Sequence, residues 1–231
     1  MALSLAPAQQ HLPHALAPLP APAVIGIGLA VLVIVLSNQA WAIALHLGVV
    51  AHEGAHALVG WGAGRKVVSM EVTPDGHGSL SGKTVTAGRG QGFGIVLTAF
   101  AGYIGPSAFG LGAAKLIAMG HIEAVLWLAV AGLAGLLLFT RNVRGLVSVL
   151  VAGALLVLVL RRGGPGAQAV TAYALTWFLL VSGVRMTLMH GSSAGDAASL
   201  KEMTHVPRLL WFAVWLAGTL GALAAGGHLM V

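Results

Sequence analysis

His52, Glu53 and His56 stand in the pattern His-Glu-x-x-His, as His52-Glu53-Gly54-Ala55-His56, inside an apolar run from Trp41 to Trp61. Four residues apart on a helix, the two imidazoles sit about 40° apart around the axis, so both reach one metal ion. Neutral imidazole is a zinc ligand, and the carboxylate between the histidines is placed to take a proton from a water that zinc polarises. The pentapeptide therefore offers two ligands and a general base, the equipment of a metal-dependent hydrolase. Each ionisable side chain at the centre of a membrane helix costs roughly 2.5 to 3.5 kcal/mol. Three within five residues call for a role that offsets that cost.

A catalytic zinc keeps three protein ligands and one open position, and the chain has no cysteine, so the third ligand must be His, Asp or Glu. Asp196, in Gly191-Ser192-Ser193-Ala194-Gly195-Asp196-Ala197, is the candidate because the topology below brings it to the membrane face that holds the histidines. Ser193-x-x-Asp196 also reads as a capping box for a short helix through Leu200 and Met203, and the two roles are compatible. His190, Glu202 and His205 are the substitutes. His46, seven residues before Glu53, falls near its helical face and reads as a proton relay or as a hydrogen-bonded packing residue. Arg185 could pair with Asp196, stabilise an oxyanion or snorkel to the surface.

Hydrophobic residues make up 58% of the 231 and charged residues 8%, with a mean hydropathy of +0.91. A soluble globule of that composition could not cover itself with polar surface. The expected class is an all-α polytopic membrane protein embedded in a lipid bilayer. The net charge of +6 does not indicate nucleic acid, because the Lys and Arg residues are scattered singly or in pairs at the ends of apolar runs, as topology signals are. Residues 1–21 are rich in Ala and Pro and hold no Lys or Arg, which reads as a flexible arm and not a signal peptide. Residues 22–231 then form one integral membrane domain.

Apolar runs at 22–37, 41–63, 93–118, 123–140, 145–160, 167–190 and 208–228 predict six to seven membrane helices, with the first and fifth short. If all seven cross, Arg65, Lys66, Lys83, Arg89, Arg141, Arg144, Lys201 and Arg208 share one side. The positive-inside rule makes that side cytoplasmic, together with the amino terminus. Trp41 and Trp61 fit aromatic belts about 30 Å apart at the two ends of the second span. His52 and His56 then lie roughly 7 to 14 Å below the cytoplasmic surface. Trp211 and Trp215 fit a belt at the start of the last span.

Within the loop 64–92, Val67-Val68-Ser69-Met70-Glu71-Val72-Thr73 leads into Pro74-Asp75-Gly76-His77, with Leu80 and Thr84-Val85 beyond. This predicts a β-hairpin at the cytoplasmic surface, with Asp75 and His77 as turn residues. It is either a plain connector or an edge that holds an unwound substrate by strand addition. In the third span, Ala101-Gly102-Tyr103-Ile104-Gly105-Pro106-Ser107 combines small residues for close helix contact with a proline that frees a backbone carbonyl.

A His-Glu-x-x-His in a membrane helix, a following hairpin, a helix carrying Gly105-Pro106 and a later Asp196 together resemble the site-2 protease family of intramembrane zinc metalloproteases. The likeness runs from Trp41 to Leu210 and is greatest to the compact bacterial branch without a PDZ domain. The resemblance implies that His52, His56 and Asp196 ligate Zn2+, that Glu53 is the catalytic base, and that the substrate is a membrane-spanning protein. It offers Ser107 or Tyr103 for the polar residue the family places near its Gly-Pro element. The sequence departs from the usual Asp-Gly after Asn-Pro, having Gly195-Asp196-Ala197 behind serines. The rival readings are a transporter or ion pathway, whose routes are also lined by intramembrane His, Asp and Arg, and an inactive scaffold that retains the motif. Alanine richness and the excess of Arg over Lys point to a high-GC bacterial genome, and hence to a bacterial cell membrane.

Overall fold

The computed structural model describes residues 16–74, 80–191 and 195–231. Among them are eight helices and one hairpin: α1 Ala21–Leu36, α2 Asn38–Gly62, β1 Lys66–Pro74, β2 Leu80–Ala87, α3 Phe93–Ala118, α4 Ile122–Leu137, α5 Val143–Arg162, α6 Pro165–His190, α7 Asp196–Thr204 and α8 Arg208–Met230. The helical membrane class and the hairpin are as the sequence predicts. α2, α3, α5, α6 and α8 are long and apolar enough to cross a membrane, while the apolar α1 and α4 are shorter. At 16 residues each, α1 and α4 reach about 24 Å against a hydrocarbon core of about 30 Å. The short members are thus the first and fourth helices; α5, expected to be short, has 20 residues.

α3 is the central element, packed on α2, α6 and α8. Small residues set the spacing: Gly110 lies on Leu180, Gly183 on Ser107 and Gly218 on Ile104. With lipid on the outside there is little hydrophobic drive between helices, so close backbone approach supplies much of their attraction. One apolar cluster joins the start of α1 (Val24), the end of α3 (Ile117), the starts of α4 (Ile122) and α6 (Tyr173) and the end of α8 (Met230). A second joins the end of α1 (Val35), α2 (Val49), β1 (Met70) and the late part of α6 (Val181). The bundle therefore has two ends, and the His-Glu-x-x-His helix belongs to the second.

The course of α1 and α2 differs from the out-and-back pair that the apolar runs predict. α1 runs along α6 in the same direction, with Val24 accepting from the indole of Trp177 at 3.1 Å and Val35 clustered with Val181. At Ser37 the backbone is extended, and the Ser37 side chain caps the new helix by accepting from Ala40 N–H. Along α2, Asn38 meets Arg185, His46 meets Ser148, and Gly54 meets Leu136 and Gly60 meets Thr98, all toward the site end, while Ala55 reaches Gly105 in the middle of α3. The start of α1 thus lies at the end opposite the motif, not on its side as expected. Hydropathy measures apolar length and is blind to direction, so two apolar runs split by Ser37 look like two crossings.

The tryptophans follow from this. Trp41 is only 4% exposed and lies beneath the Arg185 guanidinium, 4.6 Å from the ring centroid, so it is no belt residue; Trp61, 71% exposed, fits one. Trp215 is fully buried and donates to the Phe100 carbonyl at 2.9 Å, which makes it a packing residue of the α3–α8 contact. At the amino-terminal side, residues 1–15 lie outside the described residues, and Leu16 is already packed into the first cluster.

β1 and β2 pair antiparallel, with an irregularity between Val67 and Ser69; Asp75 and His77 lie outside the described residues. The outer edge of β1 is covered. Met70 N–H donates to Phe139 O and Arg141 N–H to Met70 O, while the Asn142 amide bonds both backbone groups of Val72. Met70 and Val72 thus turn their polar groups away from β2, so their partners Thr84 and Gly82 turn theirs away from β1. That outward edge of β2 carries no third strand among the described residues.

Candidate metal centre

His52 and His56 present their Nε2 atoms side by side from one face of α2, 3.2 Å apart. Asp196, the first residue of α7, brings Oδ2 to 3.1 Å from His52 Nε2 and 3.2 Å from His56 Nε2. Three donors at zinc-ligand distance from one ion, at tetrahedral angles, stand about 3.3 Å from one another. The observed triangle has that size. Glu53 Oε1 lies just outside it, 4.0 Å from His52 Nε2.

Each corner is held from outside the triangle. His56 Nδ1–H donates to the Thr98 carbonyl at 2.6 Å, which leaves Nε2 as the lone-pair nitrogen facing the site. The His52 ring packs edge-on against Tyr103 at 4.7 Å between centroids, and Tyr103 rests on Trp215. Asp196 follows Gly195, which occupies the N-cap position of α7, and α7 is seated by buried Ala197 and Leu200. The short helix expected here is present. Ser193 lies outside the described residues, and the Asp196 carboxylate is turned to the histidines.

Two glycines leave the space the site needs. A Cβ on Gly102 would stand 2.5 Å from Nε2 of both His52 and His56, on the side where an ion would sit. A Cβ on Gly82 would run into the Glu53 carboxylate, so β2 lies directly against that carboxylate. Glu53 is 2% exposed, and its Oε2 and the His52 Nδ1 are buried without a hydrogen-bond partner among the described residues. A buried orphan acceptor, Glu53 Oε2, beside a triangle of two imidazoles and a carboxylate, with a glycine-sized space in front, fits a three-ligand zinc site with an open position. Pro106 adds a further polar group, since it cannot donate to the Gly102 carbonyl one turn earlier.

The other sequence candidates fall elsewhere. Glu202 and His205 are exposed, and the side chain of His190 lies outside the described residues. Arg185 donates to Asn38 Oδ1 at 3.1 Å and covers Trp41, anchoring the start of α2 instead of pairing with Asp196. His46 bonds Ser148. Tyr103 is at the centre, whereas Ser107 is buried against Gly183 in the α3–α6 contact. Sequence reasoning missed Thr98, Gly102 and Gly82 as parts of the site. A lone glycine within a strand is a signal of close backbone approach, so Gly82 was open to inference; nothing marked Thr98, which acts through its backbone.

The chain belongs to the Peptidase M50B-like family, whose model matches residues 25–226. That family is part of the site-2 proteases, membrane-embedded zinc metallopeptidases. No curated protein and no solved structure matches the chain.

Proposed function

We propose that the protein is a zinc-dependent intramembrane endopeptidase that hydrolyses membrane-spanning protein substrates near the cytoplasmic face of a bacterial cell membrane. The observation that carries this reading is the triangle of His52 Nε2, His56 Nε2 and Asp196 Oδ2 with the Glu53 carboxylate at its edge. Those three side chains would hold the ion. When bound, zinc supplies a Lewis acid for the scissile carbonyl and eases deprotonation of water. Glu53 takes the proton of the attacking water and passes it to the leaving amine. Thr98 and Tyr103 hold the histidine rings in place.

A helical substrate hides its carbonyls in its own hydrogen bonds and must unwind before attack. The outward edge of β2 supports a place for the unwound segment: Thr84 and the Gly82 N–H turn backbone groups away from β1, the Gly82 carbonyl accepts only a long 3.4 Å bond from Ser81 Oγ among the described residues, and Gly82 touches Glu53. Strand addition there would bring a peptide bond to the base in extended form.

Arg65, Lys66, Lys83, Arg89, Arg141, Arg144, Lys201 and Arg208 gather at the site end of the bundle, against Lys115, Arg161 and Arg162 at the other. The positive-inside rule then assigns the site end to the cytoplasm and the start of α1 to the opposite side.

The deciding experiment is cleavage of a candidate membrane substrate by purified wild type and Glu53→Gln, with zinc measured in both. The expected outcome is one zinc in each and cleavage only by wild type. Full proteolysis by the zinc-loaded variant would sink the assignment of Glu53, and ion flux without a peptide product would replace the protease with a transport pathway.

A further inference from the structure

On the side of α2 away from the metal centre, α1, α2, α5 and α6 enclose a groove of about 1010 Å³. Its rims are the exposed Ile34, Ile43, Val147 and Leu155, and its floor is formed by Val31, Leu47, Ala174 and Phe178. Apart from Thr171, whose hydroxyl is taken up by the Ala167 carbonyl, its polar groups gather at one end, where Asn142, Arg144, Ser148 and His46 lie, and this is the site end of the bundle. From Val143 to Leu156 the groove follows α5 for about 20 Å at 1.5 Å per residue. That length matches one leaflet, about 15 Å of hydrocarbon plus the headgroup region, whereas a spanning protein helix would need the full 30 Å or so.

The polar end has defined chemistry. Among the described residues no carboxylate pairs with the Arg144 guanidinium. Ser148 Oγ donates its single proton to the Arg144 carbonyl at 2.8 Å, so at the 2.7 Å contact between His46 Nδ1 and Ser148 Oγ the imidazole must be the donor. His46 Nε2 is therefore the lone-pair nitrogen, and it makes no hydrogen bond among the described residues. A free cation and a free acceptor stand together at the mouth of an apolar groove one leaflet long. They are complementary to a phosphate with a hydrogen-bond donor beyond it.

We infer that this groove binds a glycerophospholipid of the leaflet on the metal-site side, with its phosphate on Arg144, a headgroup donor on His46 Nε2 and its acyl chains between α1 and α5. The lipid would back the apolar face of the helix that carries His52 and His56.

The test is native mass spectrometry of the full-length protein in mild detergent, titrated with palmitoyl-oleoyl phosphatidylglycerol and, separately, with the diacylglycerol of the same chains. One phosphatidylglycerol is expected to remain bound, with diacylglycerol and the Arg144→Gln variant each weaker by about tenfold, the worth of one charge-assisted hydrogen bond. Ala152→Trp, which fills the groove from its α5 wall, is expected to abolish the adduct. Equal retention of diacylglycerol, or an adduct unchanged in Arg144→Gln, overturns the inference. A photocrosslinking residue at Val151 in native membranes keeps the test decisive if the tryptophan variant misfolds. A lipid-sized adduct supports the groove as a lipid site, and a protein-sized adduct overturns it in favour of a partner helix.

Discussion

The Nδ1–H of His56 donates to the carbonyl of Thr98 across the α2–α3 contact, at 2.6 Å. Thr98 Oγ1 in turn donates back to Gly94 O at 2.7 Å, so the acceptor is held within the first turns of α3. This one bond selects the His56 tautomer and aims Nε2 at His52 and Asp196. The helix contact that builds the bundle thus also orients the His56 imidazole.

Asp196 closes the triangle from a separate helix, and its removal should be felt in metal content before anything else. Asp196→Ala is expected to lower zinc occupancy of the dialysed protein by at least about tenfold, with Asp196→Glu intermediate, because two imidazoles alone leave the ion under-coordinated. Zinc analysis by mass spectrometry checks it. Unchanged occupancy in Asp196→Ala would remove it from the ligand set.

Gly102→Ala places a methyl 2.5 Å from both Nε2 atoms. The two rings must move to admit the methyl, so the variant should lose zinc and activity together, while the about 1 kcal/mol by which alanine favours helix over glycine offsets part of the packing cost. Thermal melting and zinc content measured on the same sample separate this outcome from simple misfolding.

The outward edge of β2 can be probed at Thr84, whose hydroxyl donates to Glu53 O at 3.2 Å. Thr84→Val removes that hydrogen bond alone, whereas Thr84→Pro also removes the outward N–H. If substrate pairs there, the proline variant should cleave about tenfold more slowly than the valine variant, the equivalent of one hydrogen bond. Equal rates would count against strand addition.

Trp215 ties α8 to α3 through its bond to Phe100 O and its packing on Tyr103. Trp215→Phe keeps most of the ring and should cost about 1 kcal/mol, the net value of a buried hydrogen bond. A lowered melting temperature in detergent, with zinc retained, is the expected result.

His52, Glu53 and His56 were legible because their geometry is local: four residues on a helix return to nearly the same face whatever surrounds them. The hairpin was legible for the same reason, from alternation and a turn signal over a few residues. The direction of α1 and the placement of α2 were not. They depend on Ser37, on the Arg185 contact with Asn38 and Trp41, and on small-residue contacts between helices far apart in the chain. Trp41 and Trp215 were misread as belt residues because an aromatic near the end of an apolar run looks the same whether it faces lipid or a neighbouring helix.

By itself, the amino-acid sequence determined the membrane class and the pairing of two histidines at metal-ligand spacing with a carboxylate between them, since composition and helical period act within a single segment. Asp196 could be nominated from topology, yet only the tertiary structure brings its carboxylate to 3.1 Å from His52. The same holds for the glycine-sized space at Gly102, the contact of Gly82 with Glu53 and the groove behind α2. Each arises where segments far apart in the chain meet, and that meeting is decided by packing of whole helices, which no local pattern encodes.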